Sequence, residues 1–385
     1  MSDKVNKKRL GIYIHIPFCK SKCAYCDFYS GNFSAPQREE YLACLSEHIK
    51  RLAPLTDGFT VDSVFLGGGT PTVIGGEGIA RVGETVSAAF DLSVDLEFSV
   101  EANPGTVTRD DLDVMKKAGV NRISFGLQSS HDDELKTLSR IHSYSQFLSA
   151  YGDARAAGID NINVDLMYGL PGQTVDSFAL TLERVSALSP EHLSLYGLKI
   201  EDNTPFGRMK DSLSLPDEDS EYEMYLGAAE KLGGAGYRHY EISNYAKPGR
   251  ECRHNLKYWD ALEYIGFGPS AYSYFGGRRY GYAGSLTEYC SAVKKGTEPI
   301  EFDEAVSQKD REAEYIMLRL RLRDGIGTGE FFRRFGVDFA QKYRDKLKKY
   351  ISLEVMEKDG DRYYLNDRGM YVSNTVISDI AEFDV

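Results

Sequence analysis

Gly11-Ile12-Tyr13-Ile14-His15-Ile16-Pro17-Phe18-Cys19-Lys20-Ser21-Lys22-Cys23-Ala24-Tyr25-Cys26 is an alternating, β-branched run that breaks at Pro17 into a loop carrying three cysteines. The run reads as a strand, because isoleucines two apart share one face of a pleat and proline does not extend a central ladder. Similar runs recur at 63–66, 96–100, 122–126, 162–166 and 192–196, with helical stretches between them. Start signals such as Thr108-Arg109-Asp110-Asp111 and stop signals such as Ala118-Gly119 and Ala157-Gly158 bound those stretches. Six βα units and a parallel sheet follow. An open doubly wound sheet and a barrel both fit this rhythm. Glu101, Gln128 and Asp165 stand at or just past strand ends, which favours an α/β fold built as a partial (β/α)6 TIM-like barrel with its site at that end.

After about residue 200 the rhythm breaks into a segment with Pro205 and Pro216-Asp217-Glu218-Asp219, a helix, and a Tyr/Gly-rich stretch from 237 to 289. From Asp310 the pattern predicts a helix over 312–322, then Gly325-Ile326-Gly327, a helix around 330–335, and paired strands near 353–355 and 362–365. The expected division is a barrel over 1–205, an accessory region over 206–300 and a small α+β domain of winged-helix type over 301–385.

The chain has 385 residues, 42% of them hydrophobic, enough for one large core and a smaller one. A formal charge of −12 argues against broad affinity for nucleic acid or anionic membranes, whose phosphates need an excess of Lys and Arg. The basic residues before Gly11 are followed by only a short apolar run that contains His15 and Pro17, which is neither a signal peptide nor a membrane span. Three of the six cysteines crowd into residues 19–26, unlike the spread pairs that staple secreted domains, so the expected compartment is the reducing cytoplasm.

Following the first strand, Cys19, Cys23 and Cys26 fall on the first βα loop, at the mouth of the barrel. A [4Fe–4S] cubane usually has four thiolate ligands, so three leave one iron with open coordination. S-adenosyl-L-methionine can occupy that iron through its amino and carboxylate groups, with its sulfonium placed for reductive cleavage to a 5′-deoxyadenosyl radical. The competing readings are a structural zinc site with His15 or a distant fourth ligand, or three unrelated buried thiols. Cys44, Cys252 and Cys290 stand alone and read as ordinary buried residues.

The C-x3-C-x2-C spacing and the preceding Tyr13-Ile14-His15-Ile16-Pro17-Phe18 resemble the radical S-adenosylmethionine family of oxygen-independent coproporphyrinogen-III oxidase-like proteins, over nearly the whole chain. Gly67-Gly68-Gly69-Thr70-Pro71-Thr72 matches the family's glycine motif, and Tyr168-Gly169-Leu170-Pro171-Gly172-Gln173 a later segment. The resemblance implies a [4Fe–4S] cluster on the three cysteines. It also implies S-adenosylmethionine contacts at Tyr13, Tyr25, Gly68, Gly69, Thr70, Glu101, Gln128, Arg140, Asp165, Gly197 and Tyr272. Their chemistry suits the roles: a carboxylate such as Asp165 accepts ribose hydroxyls, and Arg140 can pair with the methionyl carboxylate as a fork.

Within that family two departures point to the haem chaperone HemW branch rather than the oxidase. Phe28 stands where the oxidase pattern has a further Cys, and the first strand begins within about ten residues of Met1, without the oxidase's N-terminal extension. His254-Asn255-Leu256-Lys257-Tyr258-Trp259 matches the branch's H-N-x-x-Y-W signature. The resemblance makes His254 the expected haem contact, with Cys252 a competing axial ligand. Left to itself the segment reads as a hydrogen-bonded histidine and a core tryptophan. The function expected is haem binding and delivery to target haemoproteins such as membrane respiratory enzymes, with a reductant such as flavodoxin or an NADH-linked donor. The alternative is radical decarboxylation of coproporphyrinogen III at its propionate side chains.

Overall fold

Alternate residues of the six runs are apolar: Ile12, Ile14 and Ile16; Val64 and Leu66; Phe98 and Val100; Ile123 and Phe125; Ile162 and Val164; Leu193 and Leu195. All are buried. They form one core with residues of the flanking helices Ala35–Leu52 and Gly75–Ala89, such as Tyr41, Leu45, Ile49, Val82 and Val86. Each such side chain contributes roughly 1.5–3 kcal/mol on burial, so this face holds the sheet to its helices. Residues on the opposite face, among them Tyr13, Phe65, Glu101, Arg122, Ser124, Asn163, Asp165, Ser194 and Tyr196, line internal cavities.

The structure is a computed structural model that describes residues 7–382. Strands β1 (Lys8–Ile16), β2 (Phe59–Gly68), β3 (Leu92–Ala102), β4 (Arg122–Gln128), β5 (Asn161–Tyr168) and β6 (His192–Gly197) lie side by side in chain order, all parallel. This is the partial barrel expected from the sequence. The helix signals fall where they were read: Thr108 caps the helix Arg109–Lys117, its hydroxyl accepting from Asp111 N.

The accessory segment extends the same sheet at both edges. β8 (Asn244–Ala246) pairs antiparallel with β6, and β7 (Arg238–Glu241) pairs antiparallel with β8. β9 (Tyr264–Phe267) pairs in parallel with β1, and β10 (Tyr272–Phe275), β11 (Arg278–Tyr282) and β12 (Ile300–Ala305) continue outward to a twelve-stranded sheet. Between β8 and β9 the helix Arg253–Trp259 lies across the N-terminal ends of β1 to β3. Its Lys257 pairs with Asp62 at 2.6 Å, and its N-terminal N–H groups donate to Glu97.

The C-terminal part has its own core around Tyr315, Phe331, Phe339 and Leu365, under a three-stranded sheet of β13 (Ile326–Gly327), β15 (Arg362–Leu365) and β14 (Met356–Asp359). The strand expected near 353–355 begins instead at Met356. The helix Arg344–Ser352 runs up to that segment, and Glu354 turns with φ of +56°, so residues 353–355 are the reversal between helix and strand.

Candidate cofactor site

The cysteine loop is fastened on three sides. Its two ends pair, with Cys19 N donating to Gly31 O at 2.8 Å and Gly31 N to Pro17 O at 2.9 Å. The glycine turn after β2 clamps it from beside: Gly69 N donates to Ile16 O at 2.9 Å and Thr70 N to Phe18 O at 2.7 Å. Ala24 N donates to Leu138 O at 3.1 Å, and Ala24 O accepts from Phe206 N at 3.0 Å. Gly68 has φ of +107°, and a Cβ there would sit 2.4 Å from the His15 ring. At Gly69 a Cβ would meet Phe18 O at 2.8 Å. These glycines are therefore required for the loop to lie against β2, a packing reason that stands beside any cofactor contact.

Cys19, Cys23 and Cys26 are half-buried free thiols on the wall of a cavity of about 580 Å³, whereas Cys44, Cys252 and Cys290 are buried. Arg140 donates through Nη1 to Cys23 Sγ at 3.3 Å and through Nη2 to Gly126 O, and its buried Nε has no partner. Cys19 Sγ lies 3.6 Å from Thr70 Oγ1. Among the described residues no three His, Cys, Asp or Glu side chains converge as ligands of one metal ion. His15 is not free as a fourth ligand. Its Nε2 donates to Tyr29 O at 2.8 Å, which leaves Nδ1 to accept from Tyr13 OH at 3.1 Å.

The same cavity brings together Tyr25, Gly68, Gly69, Thr70, Glu101, Gln128, Arg140, Asp165 and Gly197 from six strands and the loops that follow them. Gln128 turns at the end of β4 with φ of +75°, a conformation that costs a non-glycine residue about 1–3 kcal/mol and is found at sites. Glu101 Oε2 accepts from Gly68 N at 3.1 Å; burial, then the nearby Asp165, pushes its carboxyl up to about 8. Asp165 is also raised, by burial, although Ser124 Oγ at 3.0 Å and Asn163 Nδ2 at 2.8 Å donate to it.

Three expected residues lie elsewhere. Tyr13 faces a smaller chamber deeper in the barrel. Tyr272 is 57% exposed on β10, its ring against Phe302, and is absent from the walls of both cavities. His254 is 1% exposed inside the barrel, with Nδ1 3.0 Å from Ser63 Oγ and Nε2 2.8 Å from Tyr258 OH. As folded, each ring nitrogen has a hydroxyl partner, and the ring bridges β2 and its own helix. Cys252 is likewise partnered: fully buried, its Sγ donates to Glu97 Oε1 at 3.7 Å, and burial pushes the thiol up to about 12.

The structure adds wall residues that the sequence reading missed, notably Arg122, Ser124, Asn163, Ser194 and Tyr196. For all but Arg122, which begins its strand, the signal was the alternation itself: the non-apolar half of each run faces inward. Phe28 stands on the cavity rim, 68% exposed.

Residues 13–185 match the radical SAM superfamily and residues 306–372 the HemN C-terminal domain. The chain is 34% identical to the protein named "Heme chaperone HemW" of Bacillus subtilis, with 94% of this chain and 97% of that one covered. It is likewise 34% identical to the protein of that name from Escherichia coli, covering 96% and 97%. A solved structure described as coproporphyrinogen III oxidase (HemN) from Escherichia coli, a radical SAM enzyme, superposes with a TM-score of 0.84 over 97% of this chain and 90% of that one. At 24% identity it establishes the shared fold. With relatives of this identity aligned nearly end to end, the chain belongs to the heme chaperone HemW family of radical SAM proteins.

Proposed function

We propose that this chain is a haem chaperone that binds haem and, with a [4Fe–4S] cluster on Cys19, Cys23 and Cys26 and S-adenosylmethionine in the cavity beside them, supports haem insertion into target haemoproteins. The observation that carries the reading is the end-to-end likeness to proteins named as heme chaperones. When bound, the cluster supplies an electron next to a sulfonium.

The chain's own residues supply position and charge. Three thiols from one clamped loop offer one ligand each, and the Arg140 guanidinium donates to Cys23 Sγ. The Arg140 Nε adds a donor for a carboxylate. Glu101, at the end of β3, accepts from a ligand's amino group once ionised, and Asp165, on the same wall, accepts from ribose hydroxyls. Phe28 puts a non-ligating aromatic on the rim where a further cysteine would offer a thiolate, which speaks against the oxidase alternative.

The reductant (flavodoxin or an NADH-linked donor), acceptors among membrane respiratory enzymes, and a cytoplasmic location belong to the same reading. Among the described residues no helix is long and apolar enough to cross a membrane. The test is anaerobic reconstitution of the full chain, offered haem in one series and coproporphyrinogen III with reductant and S-adenosylmethionine in another. Stoichiometric haem binding and transfer to an apo-haemoprotein without protoporphyrinogen formation is the expected result. Efficient decarboxylation, or no haem bound, overturns it.

A further inference from the structure

Beneath the cofactor cavity lies a second chamber of about 210 Å³, and Arg122, the first residue of β4, faces it. Arg122 is 2% exposed, and its Nε has no hydrogen-bond partner. Nearby carboxylates are engaged elsewhere. Glu97 accepts from Arg253 N and His254 N, both at 3.1 Å; Asp165 accepts from Ser124 and Asn163; Glu101 accepts from Gly68 N. The Nε–H of a guanidinium this deeply buried is an unmet donor even with the charges of Glu97 and Asp165 nearby, and its planar fork matches a carboxylate.

The chamber is large enough for one, since an internal cavity of about 150 Å³ takes a benzene-sized ligand. Its floor and side are His254, Asn255 and Tyr258, from the helix Arg253–Trp259. Its roof is formed by Glu101, Ser124, Asp165 and Tyr196, which also line the cofactor cavity.

We propose that this chamber is a binding site for a short-chain carboxylate, held by the Arg122 guanidinium and closed below by the H-N-x-x-Y-W helix. The helix then serves the barrel as a floor. The carboxylate comes either from a free small acid or from a propionate arm of a tetrapyrrole reaching down from the cavity mouth; the second source rests on the haem reading above.

The test is titration of the full-length, cluster-reconstituted protein with 13C-labelled propionate at constant ionic strength, observed by NMR, for the wild type, Arg122→Met and Arg122→Lys. Saturable binding is expected in the wild type. It should weaken about 10- to 100-fold in Arg122→Met, as for loss of a charge-assisted pair, and partially in Arg122→Lys, which keeps charge without the fork. Haem and haem dimethyl ester are then used as competitors. Displacement by haem and not by its ester assigns the propionate arm, and displacement by neither assigns a free acid. Propionate binding by a protein that binds no haem keeps the site and removes the chaperone reading. No saturable propionate binding, or equal affinity in Arg122→Met, overturns the site. If Arg122→Met does not fold, unchanged affinity in Arg122→Lys overturns the fork.

Discussion

Replacing His254 with alanine separates a structural histidine from a haem ligand, because the two roles predict opposite readouts. The ring bridges Ser63 Oγ on β2 to Tyr258 OH on its own helix, inside the barrel. Its loss leaves two hydroxyls without that partner, at roughly 1–3 kcal/mol each, so His254→Ala should destabilise the fold by about 3–5 kcal/mol near neutral pH. Burial, then Lys257 and Arg122, depress the imidazole from 6.5 to about 3. A depressed histidine contributes stability that is fully present above its unfolded value and is lost as pH falls from 6.5 towards 3. At about pH 5 the wild type should therefore have lost roughly 2 kcal/mol from this group, whereas the variant has no such group to lose from. The gap between the two should narrow by that amount on acidification. Urea unfolding can be followed through Trp259, the chain's only tryptophan and a member of the same helix. Haem titration by Soret absorbance runs in parallel, with wild-type affinity expected for the folded variant. A tenfold loss of haem affinity with an unchanged unfolding midpoint would refute the reasoning and restore His254 as a ligand.

Cys23→Ala should abolish iron–sulfur absorbance after anaerobic reconstitution, and full iron and sulfide in that variant would remove the cluster assignment. In Gly69→Ala the new Cβ meets backbone atoms of the cysteine loop, Phe18 O at 2.8 Å and Ile16 O at 2.9 Å. Overpacking of this kind costs about 1–3 kcal/mol, so cluster loading and thermal midpoint should fall together; wild-type values of both would contradict the clamp. Glu101 is protonated below about 8 in the ligand-free chain, so S-adenosylmethionine affinity, measured by equilibrium binding, should rise with pH towards and through 8 and be nearly flat in Glu101→Gln. Equal pH profiles would exclude an ionised Glu101 from the binding step. Lys257→Met leaves the Asp62 carboxylate, whose side chain is 10% exposed, with Arg9 Nη1 at 3.4 Å, and should cost about 1.5–3 kcal/mol in urea unfolding. The double variant Lys257→Met, Asp62→Leu should recover most of that loss, and failure to recover would mean the helix is held by something other than this pair.

The parallel barrel was legible because its signals are local. Isoleucines two apart in β1, the Thr108 cap and the glycine stops are properties of short windows, and the apolar alternation along each run is visible within it. The strands that widen the sheet, such as β8 with residues Asn244–Ala246, are too short to show a period, and their pairing depends on edges far away in sequence. In the site, cysteine spacing and the polar residues at strand ends were readable for the same local reason. Arg122 was not, because at a strand's start it looks like a surface charge, and only closure of the barrel buries it.

His254 shows the limit of motif reading most directly. Its partner Ser63 lies 191 residues earlier, and no window of sequence contains both. The motif's residues nevertheless act together: His254 and Tyr258 bond to each other, Lys257 fixes the helix to Asp62, and the backbone at 253 and 254 is held by Glu97. A barrel with six parallel strands in sequence leaves its polar inner face open at the N-terminal end, where water would otherwise enter. A helix fixed there by a charge pair, a capped N-terminus and a histidine bridge closes that end while keeping the lining polar. Substitutions in the motif should consequently act on the cofactor cavity through the floor they hold.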